Sequence, residues 1–342
     1  MTIAAPLQIV FPGALAALQD PGRHGLRRAG VPQAGALAPA WLRIANVLAG
    51  NAVAQAAIEF FGGGLVLRAP EAPVRLGLAG PFACELVRED GRRQALSGWR
   101  SLTLAPGETL RCGAIDGARV GYVAVGGLTT PRLLGSASTY ARAGFGRALA
   151  PGDRLVAASS PGGAESVLSQ IPQMEVAPVI RIVLGPQSDY FTEGARQALL
   201  SGEYRVTAES DRMGMRLDGP MLAHLPEKGV EIASDATVPG SIQVPGKGLP
   251  IVLLNDGQTA GGYPKIATVI SADLPRLAIL PVGATLRFAA VDVAAAEAAA
   301  RAEAAALAVL VDGIVPALEA GEIDEAAIYS ANLVSGMVDA LF

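Results

Sequence analysis

Cysteine and histidine are scarce, with two of each in 342 residues. Cys84 and Cys112 cannot build a disulfide framework or a Cys-rich zinc site, so they read as reduced, buried thiols. His24 and His224 stand outside any H-E-x-x-H or G-x-S-x-G pattern, and no zinc site or serine triad is supported. Positive charge is not in excess either. The net charge is −4 and no Lys/Arg cluster occurs, which argues against a nucleic-acid partner. Long apolar runs are missing, because Gly, Pro or charge interrupts each one before it reaches membrane-spanning length. Met1 to Phe11 lacks the basic start and unbroken apolar stretch of a signal peptide and reads as a first strand. The expectation is a soluble, cytoplasmic protein with no membrane partner.

Glycine and proline are plentiful, at 41 and 24 residues, in a chain that is 51% hydrophobic. That balance favours many short strands joined by turns. The runs Leu7-Gln-Ile-Val-Phe, Leu65-Val-Leu-Arg, Val74-Arg-Leu-Gly-Leu, Arg119-Val-Gly-Tyr-Val-Ala-Val, Ile180-Arg-Ile-Val-Leu and Pro250-Ile-Val-Leu-Leu all have strand character. One helix is expected in the first half, with Pro39 in its first turn, Trp41, Ile44 and Leu48 on one face, and Gly50 at its end.

The chain also repeats itself at long period. Arg23-His-Gly-Leu-Arg-Arg-Ala-Gly30 matches Arg212-Met-Gly-Met-Arg-Leu-Asp-Gly219 as R-x-G-[LM]-R-x-x-G. Ile58-Glu-Phe-Phe-Gly-Gly-Gly-Leu65 matches Ile242-Gln-Val-Pro-Gly-Lys-Gly-Leu249, and Leu104-Ala-Pro-Gly-Glu-Thr-Leu-Arg111 matches Leu280-Pro-Val-Gly-Ala-Thr-Leu-Arg287. The order is kept across all three pairs, which predicts two related β-rich lobes, 5–128 and 178–290, joined by a segment 129–177. The last part, 291–342, reads as helical. It is Ala-rich from Val293 to Leu310, with a second helix from about Glu322 carrying Ala327, Ala331, Val334, Val338 and Leu341 as an apolar stripe.

Polar chemistry concentrates between Ser234 and Lys265. Asp256-Gly-Gln-Thr-Ala-Gly-Gly-Tyr-Pro-Lys265 sets an acceptor, an amide, a hydroxyl and a cation on a tight loop after an apolar strand. Gly261 and Gly262 let a ligand approach the backbone. Asp256, Gln258, Thr259, Tyr263 and Lys265 together suit a urea- or amide-like ligand, which presents a carbonyl acceptor and N–H donors. The alternative is a hairpin turn with solvated polar residues. Gly240-Ser-Ile-Gln-Val-Pro-Gly-Lys-Gly248 lacks the Walker A spacing, so it is not an ATP loop, and Gln243 within it is a candidate amide contact. Arg23 and Arg212 each lie near an Asp, where they can hold a substrate carboxylate or carbonyl, or bridge Asp20 or Asp211 structurally. Gly135-Ser-Ala-Ser-Thr139 reads as a polar turn.

These motifs resemble one family. Gln19-Asp-Pro-Gly-Arg-His-Gly25, Gly30-Val-Pro-Gln-Ala-Gly-Ala36, Ser210-Asp-Arg-Met-Gly-Met-Arg-Leu-Asp-Gly-Pro220, Ser241-Ile-Gln-Val-Pro-Gly246 and Gln258-Thr-Ala-Gly-Gly-Tyr-Pro-Lys-Ile-Ala-Thr268 look like allophanate hydrolase subunit 2. That biotin-carboxyltransferase-like family includes KipA, the C subunit of 5-oxoprolinase and part of the urea carboxylase carboxyltransferase domain. The chain departs from the family at Ala16-Ala17-Leu18 and Ala143-Gly-Phe-Gly-Arg147. The resemblance implies cyclophilin-like β-barrels and a KipI-like partner, the B subunit of 5-oxoprolinase, with a LamB/YcsF-type subunit as the third component. It implies ATP-dependent opening of 5-oxoproline to glutamate. The alternatives it leaves are carboxyl transfer to urea or a related amide, and KipA-like regulation. Carried onto this chain, it points to Asp256, Tyr263 and Lys265 as catalytic, and to Arg23, Arg212, Gln243 and Gln258 as gripping the substrate, with Thr259, Gly261 and Gly262 added from the loop itself. No biotinyl-carrier, ATP-grasp or amidase motif is present. ATP is therefore used by the complex, biotin if used arrives on another chain, and this subunit alone is expected to be incomplete.

Overall fold

Strands in this chain alternate between inward apolar and outward residues, as in Leu65–Arg68 and Phe82–Val87, so each sheet has one face to bury. The computed structural model describes residues 4–160 and 164–317. In the first half two antiparallel sheets face each other. One runs in the order Arg154–Ala158, Ala4–Pro12, Leu65–Arg68, Thr109–Ile115, Phe82–Val87 and Arg93–Ser97. The other runs Leu15–Gln19, Ala57–Phe61, Val120–Val125, Val74–Ala79, Arg100–Leu104, Ser166–Leu168 and Ile314–Pro316. Leu7, Leu67 and Leu110 of one sheet share a core with Phe60, Leu76 and Val123 of the other. Cys84 and Cys112 are register partners in that core and are free, buried thiols.

The second half is a closed barrel of Val179–Leu184, Lys265–Val269, Ser241–Gln243, Ile251–Leu253, Gly214–Asp218, Tyr204–Val206 and Thr285–Ala290. It closes through a parallel pairing of Val179–Leu184 with Thr285–Ala290. The helix α1, Pro39–Leu48, starts on its proline and buries Trp41, Ile44 and Leu48, as the sequence predicts. It covers the outer face of the seven-stranded sheet, and its core is continuous with that of the barrel. The chain is thus mainly β, with one closed barrel beside two open sheets.

Several expectations need revision. The segment 129–177 does more than connect, since Arg154–Ala158 and Ser166–Leu168 are strands of the first-half sheets. The tail does more than form a helix. After the helix Val293–Asp312, Ile314–Pro316 pairs with Ser166–Leu168 and satisfies an otherwise open strand edge. The stripe at Ala327 to Leu341 lies outside the described residues. Two of the three motif pairs fall in like elements, a strand running into a turn at 58–65 and 242–249, although Leu65 opens a strand and Leu249 does not, and a turn running into a strand at 104–111 and 280–287. The first pair does not: Gly25 sits in a turn with positive φ, whereas Gly214 begins a strand. His224 makes an isolated bridge with Phe191. Among the described residues no helix is long and apolar enough to cross a membrane.

The crossing of 20–23 with 33–36 anchors both ends of the loop that carries Arg27. The Arg23 amide donates to Gln33 O at 2.7 Å and the Ala36 amide to Asp20 O at 2.9 Å. A Cβ at Gly35, where φ is +87°, would lie 2.8 Å from Pro21 O. Gly35→Ala should therefore destabilise the protein by about 1–3 kcal/mol, through both the clash and the left-handed backbone. Denaturant unfolding measures this, and an unchanged midpoint would show that the crossing is not tight.

Candidate functional site

Barrel register sets Gln243 opposite Lys265, with a bulge between Ile242 and Gln243. Beyond Ile251–Leu253 the chain turns, pairs Ala260–Gly261 with Asp235–Ala236, and re-enters the barrel at Lys265. Gln258 Nε2 donates to Gln243 Oε1 at 3.0 Å, which orients the Gln243 amide. Gln243 is 2% exposed, and its Nε2 is buried without a partner. A Cβ at Gly261 would lie 2.5 Å from that nitrogen, so only glycine leaves the space beside it open.

Lys265 is buried and its Nζ donates to Asp235 Oδ2 at 2.7 Å. Gln187 braces the pair, accepting from the Lys265 amide and donating to the same Asp235 oxygen, both at 3.2 Å. The bond from Lys265, with those from the Ala236 amide and Gln187, holds Asp235 below the usual carboxylate range. Arg27 crosses from the first half. Its Nη2 donates to Thr237 O at 2.8 Å and Gln258 O at 2.7 Å, while its Nη1 is buried and unpartnered. Burial lowers the Arg27 pKa. Two buried donors, Gln243 Nε2 and Arg27 Nη1, are thus unmatched in one amide-lined cluster. Thr259 and Gly262 enter through their carbonyls, which accept from Thr237 N at 3.0 Å and Ile232 N at 2.8 Å. Tyr263 is exposed.

Arg212 and Asp256 form a second cluster. Asp256 takes Arg212 Nε and Nη2 on its two oxygens, each at 3.0 Å. Arg212 Nη1 pairs with Glu59, and its Nη2 also donates to Gly35 O at 2.7 Å. Tyr122 Oη donates to the other Glu59 oxygen, which accepts from Leu37 N at 2.9 Å. Burial alone would lower the Arg212 pKa, but Glu59 and Asp256 raise it above the usual value. Burial pushes Asp256 up, against the pull of Arg212. Arg119, deeply buried, falls to about 10, with Glu59 opposing the fall. A cavity of about 220 Å3, lined by Gln19, Thr139 and Met213, opens onto Arg212 and Asp256.

Arg23 joins neither cluster, and its Nε donates to Leu133 O at 3.1 Å. Asp20 does not bridge it. Ser136 and Ser138 hydroxyls donate to Asp20 at 2.5 Å each, with Ala137 N and Gly22 N at 2.8 Å. The stretch 135–139 is therefore a latch on Asp20 rather than a solvated turn. Burial would raise the Asp20 pKa, yet these four bonds hold it below the ordinary carboxylate value.

The family model "Carboxyltransferase domain, subdomain A and B" matches residues 29–290. The chain belongs to this family. It is 36% identical to the C subunit of the 5-oxoprolinase of Escherichia coli (strain K12), over 82% of this chain and 90% of that protein. It is 28% identical to "Urea amidolyase" of Lachancea kluyveri, over 90% of this chain but 18% of the relative. The solved structure of the K. lactis urea amidolyase shares its fold, with a TM-score of 0.79 at 24% identity, over 93% of this chain and 21% of the other.

Of the residues expected from sequence, the structure of this carboxyltransferase-family chain gathers Gln243, Gln258, Gly261 and Lys265. It pairs Arg212 with Asp256 and leaves Arg23 elsewhere. Sequence reasoning missed Arg27, Thr237, Asp235, Gln187, Glu59 and Tyr122. A lone carboxylate inside Ala57-Ile-Glu-Phe-Phe61 was a usable signal, since a buried Glu needs a partner.

Both buried carboxylate clusters can be tested. Arg212→Ala leaves Glu59 and Asp256 buried without their cation and should cost about 3–5 kcal/mol in chemical unfolding. A loss under 1 kcal/mol would mean that water replaces the guanidinium. The double variant Ser136→Ala/Ser138→Ala tests the Asp20 latch. A depressed folded pKa stabilises above the unfolded value and is lost as pH falls through the folded one. The gap between wild type and variant should be full at pH 7 and shrink below about pH 4. Equal gaps at pH 7 and pH 3 would refute the assignment.

Proposed function

We propose that this chain is one subunit of an ATP-dependent 5-oxoprolinase, a lactam hydrolase complex, and is incomplete by itself. The observation that carries this reading is the 36% identity to the C subunit of the E. coli 5-oxoprolinase across 90% of that protein's length. The complex would contain a KipI-like B subunit and a LamB/YcsF-type subunit and work in the cytoplasm. ATP is used by the assembly, and biotin, if used, is delivered from another chain.

Chemistry at the 243–265 cluster supports the same reading. Opening the lactam adds water across the ring C–N bond, and negative charge develops on the carbonyl oxygen. Gln243 Nε2 and Arg27 Nη1 are buried donors without acceptors, and Lys265, the register partner of Gln243, adds a cation that is shared with Asp235. Preorganised donors of this kind stabilise such a charge. Both Asp256 oxygens are engaged by Arg212, so the lactam N–H falls to a loop carbonyl. The same donors would suit a ureido carbonyl. The likeness to urea amidolyases therefore supports carboxyl transfer to urea as a second reading.

The lone chain should not turn over 5-oxoproline, whereas mixing it with both partner subunits and ATP should release glutamate. Within the reconstituted complex Lys265→Ala should lower turnover by about 10²–10³, the usual cost of a lost transition-state donor. Co-purification with the KipI-like subunit should not change, while loss of the buried ion pair with Asp235 should lower the melting temperature without unfolding the chain at assay temperature. Full turnover by the lone chain, or full activity of the Lys265 variant, would sink the respective claim. Carboxylation of urea with a biotin carboxylase and its carrier, and no 5-oxoproline turnover, would favour the second reading.

A further inference from the structure

A separate groove of about 550 Å3 lies between Arg23, the strap from Thr130 to Thr139, and the segment Gly146 to Leu155. Arg23 is 2% exposed. Its Nε is held by Leu133 O and its Nη2 reaches Ser136 O at 3.4 Å, while Phe145 packs 4.9 Å from the guanidinium carbon. The remaining nitrogen, Nη1, is buried without a partner. A buried guanidinium N–H that lacks an acceptor is costly, and a bound ligand is one way to offset it.

The surroundings say what charge that ligand carries. Four arginines line the groove, Arg23, Arg132, Arg147 and Arg154, against one carboxylate, Asp153. Asp153 is taken by both Nη atoms of Arg147, at 2.7 and 2.6 Å. Arg154 pairs with Glu71 outside the groove. Asp20 behind the strap is satisfied by the two serines and two amides; it and Asp256 act on Arg23 through space, but among the described residues neither they nor any other carboxylate forms an ion pair with Arg23 or the exposed Arg132. Thr130 and Thr139 add hydroxyls to the same lining, whereas those of Ser136 and Ser138 are committed to Asp20. A planar guanidinium with a free donor, flanked by a second arginine and hydroxyls, matches a carboxylate or phosphate oxygen.

We propose that this groove binds an oxyanion, carboxylate or phosphate, with Arg23 Nη1 as the inner donor and Arg132 at the rim. The site is distinct from the 243–265 cluster and does not depend on the function proposed above.

Calorimetric titration of the full chain with inorganic phosphate, ATP and 5-oxoproline, at constant ionic strength set by sodium chloride, tests it. Saturable binding of at least one of the three is expected. Preference for ATP or phosphate assigns the groove to a phosphoryl group, and preference for 5-oxoproline to a carboxylate. Arg132→Ala should weaken binding about tenfold, the scale of one charge-assisted hydrogen bond. Arg23→Lys keeps the charge but loses the fork, and should weaken it at least as much. Arg132 is exposed, so its variant reports on binding even if the Arg23 variant fails to fold. Absence of saturable binding by all three anions, or an unchanged Kd in Arg132→Ala, overturns the proposal.

Discussion

A guanidinium withdrawn from water must find its acceptors within the protein, and Arg212 finds them on both sides of the molecule. Asp256 comes from its own half, and Glu59 and the Gly35 carbonyl from the other. Glu59 in turn orders Tyr122 and the Leu37 amide, and the Tyr122 hydroxyl accepts from Ala38 N at 2.9 Å. The start of α1 and the centre of the seven-stranded sheet are therefore referenced to one barrel side chain. A buried ion cluster of this kind contributes little net stability against an apolar replacement, but it penalises any arrangement that separates its members. Its effect is to fix how the two halves meet.

That fixed meeting places the remaining chemistry. The segment entering α1 is clipped to the barrel through Asn255, whose carbonyl accepts from Ala34 N at 2.8 Å and whose amide donates to Ala36 O at 2.8 Å. The same first-half loop carries Arg27 to the carbonyls of Thr237 and Gln258. Gln243 and Lys265 owe their juxtaposition to barrel register alone. The amide-lined cluster is thus assembled from a rigid wall and a docked loop, and neither half contains it separately.

Strands and α1 were legible because they follow local rules: alternation, a proline at the first helical turn, glycine at the turns. The Gly-rich 256–265 loop was legible because polar groups crowd it. What was not legible depends on distance along the chain. Asp256 reads as a free acceptor until Arg212 is placed against it, and the serines at 136 and 138 read as a polar turn until Asp20 arrives beneath them. The R-x-G-x-R match between Arg23 and Arg212 is a similarity of letters. One copy forms a loop with Gly25 at positive φ, the other enters a strand at Gly214, and the two arginines do different things. Ile314–Pro316 was invisible because three residues carry no periodicity.

That last strand bears on how the protein is made. Ser166–Leu168 is an interior strand of its sheet only because a segment from the far end of the described chain lies beside it. During synthesis the first-half sheet emerges early, yet its outer edge stays uncapped until the barrel and the long helix have also been translated. Such an edge offers unpaired amides and carbonyls to any other nascent chain. The order of translation therefore sets a window in which this protein is open to mispairing, and the few residues after the helix close it.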